Sequence, residues 1–201
     1  MPIKTVAFDM NGTYAHVNSH RFYKETGKDL GISAAHMRKD FHRSFGPLLD
    51  GSISESAFWK RFGKKYGKEI TEMEVNESWR KTLKDMRINP GMKELVSGLK
   101  KNYKVGMITN TFGSHYKFVK GKGWYKPFNP LVVSCFADAR KPGRKIYDIF
   151  LKRAGAKPSE TVLVDNEREN VESAKKIGMK AILFKDAQQV RKDLKRMGVE
   201  I

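Results

Sequence analysis

After Asn89-Pro90-Gly91 the sequence switches back and forth between two periods, and this constrains the fold more than any other feature. Stretches with helical spacing, at residues 92–102, 114–120, 145–154, 170–177 and 187–197, take turns with short β-branched runs at 103–109, 131–136, 161–165 and 180–184. Gly155 and Gly178 stop two of the helices. Strands that alternate with helices make βαβ units, and the sheet they form is parallel and covered on both faces.

One strand stands apart. Residues 3–9 (IKTVAFD) have the same buried-strand character, yet about 70 residues without a convincing strand follow them. In that block Ile32, His36, Met37, Phe41 and Phe45 recur at helical intervals. Ser54 opens a helix whose apolar face is Phe58, Trp59, Phe62 and Tyr66, and 72–86 is a further helix built on Met73, Trp79, Leu83 and Met86. The expected fold is therefore α/β, a Rossmann-like parallel sheet core with an all-helical cap domain inserted after the first strand. The core takes residues 1–15 and 88–201, and the cap takes 16–87.

In an open α/β sheet, ligands bind beyond the carboxyl ends of the strands. Here those ends are polar. The first strand stops at Asp9, followed by Asn11, Gly12 and Thr13. The next stops at Thr109 and Asn110. Lys141-Pro142 follows the third, and the fourth stops at Asp165 and Asn166. Neighbouring strands lie only about 4.8 Å apart, so Asp9 and Asp165 on adjacent strands could share one cation, and Mg²⁺ accepts one or two carboxylates with waters and a phosphate. Taken singly, each residue is as well explained by a turn or a helix cap. Their order and spacing are more specific.

Together they resemble the haloacid dehalogenase-like hydrolases, a superfamily made up mostly of phosphatases. "VAFDMNGT" is similar to the family's first motif, "VGMITNT" to its second, Lys141 in "ARKPGRKIYDIF" to its third, and "VLVDNERENVESAKKIGM" to its fourth. The resemblance implies that Asp9 is a nucleophile forming an aspartyl-phosphate. It also implies that Asp9, the Asn11 carbonyl, Asp165 and Asn166 surround a Mg²⁺ ion, and that Thr109, Asn110 and Lys141 hold the phosphoryl group beside the Gly12-Thr13 turn. Two positions depart from the pattern. Asn11 stands where the family's general acid–base Asp is usual, which costs ~10²–10⁴-fold in rate, and Asn166 stands where an acidic pair is usual. His16 or His20 could supply the missing base from the cap. Lys141 and Tyr147 also resemble the Lys and Tyr of 2-haloacid dehalogenases, an alternative activity. A third reading is a weakened domain that binds an anion or nucleic acid.

The last of these draws on charge. Forty Lys and Arg against 22 Asp and Glu give +18, an excess that concentrates anions at the surface. The basic residues are dispersed, so a small phosphorylated or otherwise anionic substrate is favoured over nucleic acid. The best basic–aromatic cluster, residues 116–128 (YKFVKGKGWYKPF), reads as a helix and loop packing Phe118, Trp124 and Phe128 inward. No window is apolar enough for a membrane helix, and the N-terminus enters a strand without a signal-like segment. The single cysteine, Cys135, excludes an intrachain disulfide and a cysteine-based zinc site, and a reducing cytoplasm is the expected location. Oligomeric state is open.

Overall fold

The computed structural model describes residues 1–201. Five parallel strands form one sheet: β1 (Thr5–Phe8), β4 (Lys104–Thr109), β5 (Leu131–Val133), β6 (Thr161–Asp165) and β7 (Lys180–Leu183), in the order β5-β4-β1-β6-β7. β1 is central. It pairs with β4 on one side and β6 on the other, with Phe8 opposite Met107 and Val164. Asp9, Thr109 and Asp165 therefore finish three adjacent strands.

Alternation along the strands sorts side chains to two faces. Val6, Phe8, Val105, Met107, Val162 and Val164 join a cluster of 37 buried residues. Ala7, Ile108 and Leu163 point the other way, into a cluster of 12 with α9 (Arg144–Ala154) and α10 (Arg168–Lys176). The smaller face needs Gly106, because a Cβ there would lie 2.5 Å from the Phe150 ring.

Six helices lie between β1 and β4; the first five, which make up the insertion, are α1 (Ser19–Leu30), α2 (Ala34–Ser44), α3 (Gly46–Leu49), α4 (Glu55–Lys64) and α5 (Glu72–Leu83), and α6 (Met92–Leu99) leads into β4. Local chemistry sets their starts. Asn18, Ser33, Ser54 and Thr71 each accept a backbone N–H with the side chain, and Thr71 with Glu74 forms a complete capping box. Aromatic rings fill the bundle, with Phe22 stacked on Trp79 at 3.7 Å and Phe41 on Trp59 at 5.7 Å. The bundle's buried apolar residues belong to the same 37-residue cluster as the sheet. A polar link adds to that continuity. Glu55, the first residue of α4, accepts the Ser114 N–H at 2.6 Å at the open end of α7 (Gly113–Gly121).

Some sequence expectations differ from the structure. A short antiparallel pair, β2 (Ala15–His16) with β3 (Arg87–Ile88), closes the two ends of the insertion. Two residues are too few to show alternation. The run 131–136 is strand only to Val133, and Ser134–Ala137 turns into one helical turn, α8. The Ser134 hydroxyl explains the change: it accepts the Thr111 N–H and donates to the Thr111 carbonyl, ending the ladder. Met73 and His36, placed on apolar faces by spacing, are exposed, and Val75 is buried in place of Met73. Of the three rings expected to pack inward from 116–128, Phe128 is buried. Phe118 and Trp124 are half-buried under the Lys122 ammonium, 5.2 and 5.7 Å from their centres. No helix is long and apolar enough to cross a membrane.

Candidate active site

The strand ends converge on an ion cluster. The Lys141 ammonium donates to Asp9 Oδ1 and to Asp165 Oδ2, both at 2.6 Å, and all three side chains are buried. Lys141 is far from any strand end in sequence, and Asn110 holds it. The Asn110 amide donates to the Lys141 carbonyl at 2.8 Å and accepts its N–H at 2.9 Å. Asn110, grouped with the phosphate ligands by sequence, thus spends its side chain on positioning the lysine. Asp165 is fixed from behind, accepting the Glu167 N–H and both contacts of the Asn170 amide at 3.0 and 3.1 Å.

Two carboxylates and one ammonium leave the cluster with an excess negative charge away from water. Burial pushes the Asp9 carboxyl up to about 7, while Lys141 pulls it down and Asp165 adds to the rise. Burial works against the Lys141 charge, but Asp165 and Asp9 outweigh it and hold the ammonium above its usual range. The site therefore favours an added cation. No three His, Cys, Asp or Glu side chains cluster tightly enough to hold a metal by themselves. A resident ion would need carbonyl oxygen and water as well, a donor set that suits Mg²⁺ better than a softer metal.

Around this cluster the sequence-predicted residues divide. The Thr109 hydroxyl is buried with no partner, free to donate to a ligand. Asn11 Oδ1 is likewise buried and unpartnered. Thr13 and Asn166 are not free. Thr13 donates to Asn166 Oδ1 at 3.1 Å, and the Asn166 amide donates to Glu167, which ties the β1 loop to the β6 loop. Gly12 makes that approach possible. Its φ is +89°, and a Cβ would fall 2.6 Å from Asn166 Nδ2. His16 and His20 are exposed and unbonded, so neither reaches in as a base. Tyr147 is fully buried, and its hydroxyl donates to the Asn170 carbonyl at 3.0 Å, which commits it to scaffolding rather than to a substrate.

Sequence reasoning missed three groups. Asn170 was visible only as part of a motif. Tyr125, inside the basic–aromatic run, has a buried hydroxyl without a partner, and burial together with the Asp9 charge raises its pKa. His115 is buried on the first turn of α7, its Nδ1 lies 2.6 Å from the Thr111 hydroxyl, and its Nε2 has no partner. Burial pulls that imidazole down to about 4. A histidine between aromatics gave no sequence signal that set it apart from a packing residue.

Known proteins are similar to this chain in sequence and fold. The model of the haloacid dehalogenase-like hydrolases matches residues 3–178. The chain is 26% identical over 202 residues to the D-ribitol-5-phosphate phosphatase of Bacteroides thetaiotaomicron, a match covering 96% of this chain and 97% of that protein. A solved structure of a predicted HAD-like family hydrolase from Porphyromonas gingivalis has a TM-score of 0.84 at 21% identity over the whole of both chains. A HAD family enzyme of B. thetaiotaomicron, solved with magnesium and inorganic phosphate, has a TM-score of 0.76 at 21% identity, covering 91% of this chain and 94% of that one. The fold, the converging strand ends and the family match together establish that this chain belongs to the haloacid dehalogenase-like hydrolases, as a phosphatase-like member.

Proposed function

We propose that the protein is a Mg²⁺-dependent phosphatase acting on a small phosphomonoester through an aspartyl-phosphate on Asp9. The observation that carries the reading is the junction of Asp9, Lys141 and Asp165 beside the unpartnered Thr109 hydroxyl. A pure binding site for an anion has no need of two buried carboxylates. A nucleophilic phosphatase needs one to attack and one to balance charge.

In the first half-reaction a carboxylate oxygen of Asp9 bonds to phosphorus as the ester O–P bond breaks, and the electron pair leaves with the alcohol oxygen. Lys141 keeps Asp9 ionised against its burial and, with Thr109, donates to the phosphoryl oxygens. In the second half-reaction water attacks the same phosphorus, Asp9 is released and inorganic phosphate departs. Asn11 can neither protonate the leaving oxygen nor activate the water, so both protons are exchanged with solvent and turnover is slow by ~10²–10⁴-fold. Asp9, Asp165 and the Asn11 carbonyl would hold Mg²⁺, with Asn166 holding the loops around it. When bound, the ion supplies positive charge against the phosphate dianion.

The relatives' names support this reading, as does the magnesium and phosphate in the B. thetaiotaomicron enzyme. The +18 charge favours an anionic substrate. In this reading residues 16–87 are a cap over a core of 1–15 and 88–201.

The test is phosphate release from a panel of small phosphomonoesters with and without Mg²⁺. We expect slow, metal-dependent turnover that Asp9→Asn abolishes and Asn11→Asp raises by ~10²–10⁴-fold. Absence of turnover from every ester, even in Asn11→Asp, would overturn the reading.

A further inference from the structure

A cavity of about 90 Å³ adjoins the ion cluster where the insertion meets the sheet. From the sheet side it is lined by Asn11, Asn110, Thr111, Phe112 and His115, which follow the ends of β1 and β4. From the insertion it is lined by Tyr23, Phe41, Phe45, Leu49 and Trp79. Phe112 joins the two sets, its ring centre 5.9 Å from that of His115 and 5.5 Å from those of Phe45 and Trp79. A larger groove of about 340 Å³, between α5 and α7, contains no strand-end residue and is no part of this site.

Resting on the phosphatase reading, we infer that this cavity receives the leaving alcohol, and that the alcohol is a two- or three-carbon chain bearing a second hydroxyl. Position, size and polarity each bear on this. The phosphoryl group belongs with Lys141 and Thr109, and Asn11 and Asn110 connect that point to the cavity, so an ester held there sends its alcohol between the aromatic walls. An apolar cavity of ~150 Å³ takes a benzene ring, and a water-sized group fills roughly 30 Å³. Ninety cubic ångströms therefore hold three or four heavy atoms and exclude an aryl ring. The lining is mostly carbon, yet two buried atoms within it lack partners, Asn11 Oδ1 and His115 Nε2. Thr111 fixes the imidazole through Nδ1, which leaves Nε2 for a ligand. A purely alkyl chain would fill the space and leave both hydrogen bonds unmade; with Thr111 donating to Nδ1, Nε2 carries the proton, and one hydroxyl accepts from Nε2–H and donates to Asn11 Oδ1. Asn11 then has a use on the alcohol side that an aspartate would not serve in the same way, since an amide oxygen accepts without adding charge to the cluster.

The experiment is calorimetric titration of Asp9→Asn protein, in Mg²⁺, with monophosphates of straight-chain alcohols of one to six carbons, their terminal-hydroxy counterparts and phenyl phosphate. In the alkyl series affinity should rise roughly fourfold per methylene to the third or fourth carbon and then fall, and in the hydroxy series the optimum should come one carbon earlier. At the best length the hydroxy ester should bind at least tenfold more tightly than the alkyl ester. Leu49→Ala, which enlarges the cavity, should move the optimum to a longer chain. His115→Phe should erase the hydroxyl preference while keeping the length preference. Affinity that is flat with length, tightest for phenyl phosphate, or equally selective for hydroxyl in His115→Phe overturns the inference, as does binding of no ester. Phosphate release by the unsubstituted protein judges the phosphatase reading separately, because these titrations involve no turnover.

Discussion

Two buried polar regions lie side by side in this protein and are built in opposite ways. In the ion cluster the lysine bridges both carboxylates, and Asp165 receives three further donor contacts. In the cavity next to it, Asn11 Oδ1 and His115 Nε2 have no partner at all. The first region makes its hydrogen bonds within the chain and lacks only the positive charge of a cation. The second lacks hydrogen bonds that only an added molecule can make. A buried charge must be compensated whenever the protein is folded, whereas a lone neutral polar atom costs about 1–3 kcal/mol and can be kept for a ligand.

The largest effect should come from unbalancing the ion cluster. Lys141→Met leaves two carboxylates facing each other without a counterion, and removing one partner of a buried pair typically costs about 3–5 kcal/mol. Chemical denaturation at pH 8 should show that loss. The loss should shrink at acid pH, where Asp9 takes up a proton. An unchanged stability would mean that water, rather than the lysine, compensates these charges.

The waiting region should respond to acid. The His115 pKa is about 4 in the folded protein against 6.5 ordinarily, so between these values the unfolded chain binds the proton and the folded one does not. Stability from this group is full above pH 6.5 and falls as pH drops toward 4, by about 3 kcal/mol at most. His115→Gln should flatten that part of the stability–pH curve. A curve of the same shape in the variant would show that other groups set the acid limit.

Gly12→Ala tests the seam between the two regions. Its positive φ and the approach of Asn166 predict a loss of about 1–3 kcal/mol. Turnover should fall with it, since the Thr13–Asn166 link holds the β1 and β6 loops together. A variant as stable as the parent would mean that the turn relaxes freely.

The same division explains what was legible in the sequence. Asp9, Thr109 and Asp165 each end an apolar run, and a parallel sheet brings such ends together whatever the loops do, so the order of strands sufficed. Lys141 was legible because its place in the series matched a motif. The cavity was not legible. Its wall draws on the β1 and β4 loops and on α1, α2, α3 and α5, and nothing in the local spacing of Tyr23, Leu49 or His115 separates a ligand wall from ordinary packing. Asn110 and Thr13 were located correctly, but their hydrogen bonds run to Lys141 and Asn166, a choice that only three-dimensional proximity decides. Ser134 ended a strand early for the same reason.

The bond from Ser114 to Glu55 has a bearing on engineering. Exchanging residues 16–87 for a helical block from a relative is an obvious way to alter selectivity. Yet the carboxylate that satisfies the first turn of α7 comes from that block, and His115 is the very next residue. A transplant lacking an acceptor at this point would fray the helix that carries the cavity's imidazole, and would change the recipient's selectivity before any new side chain met a substrate.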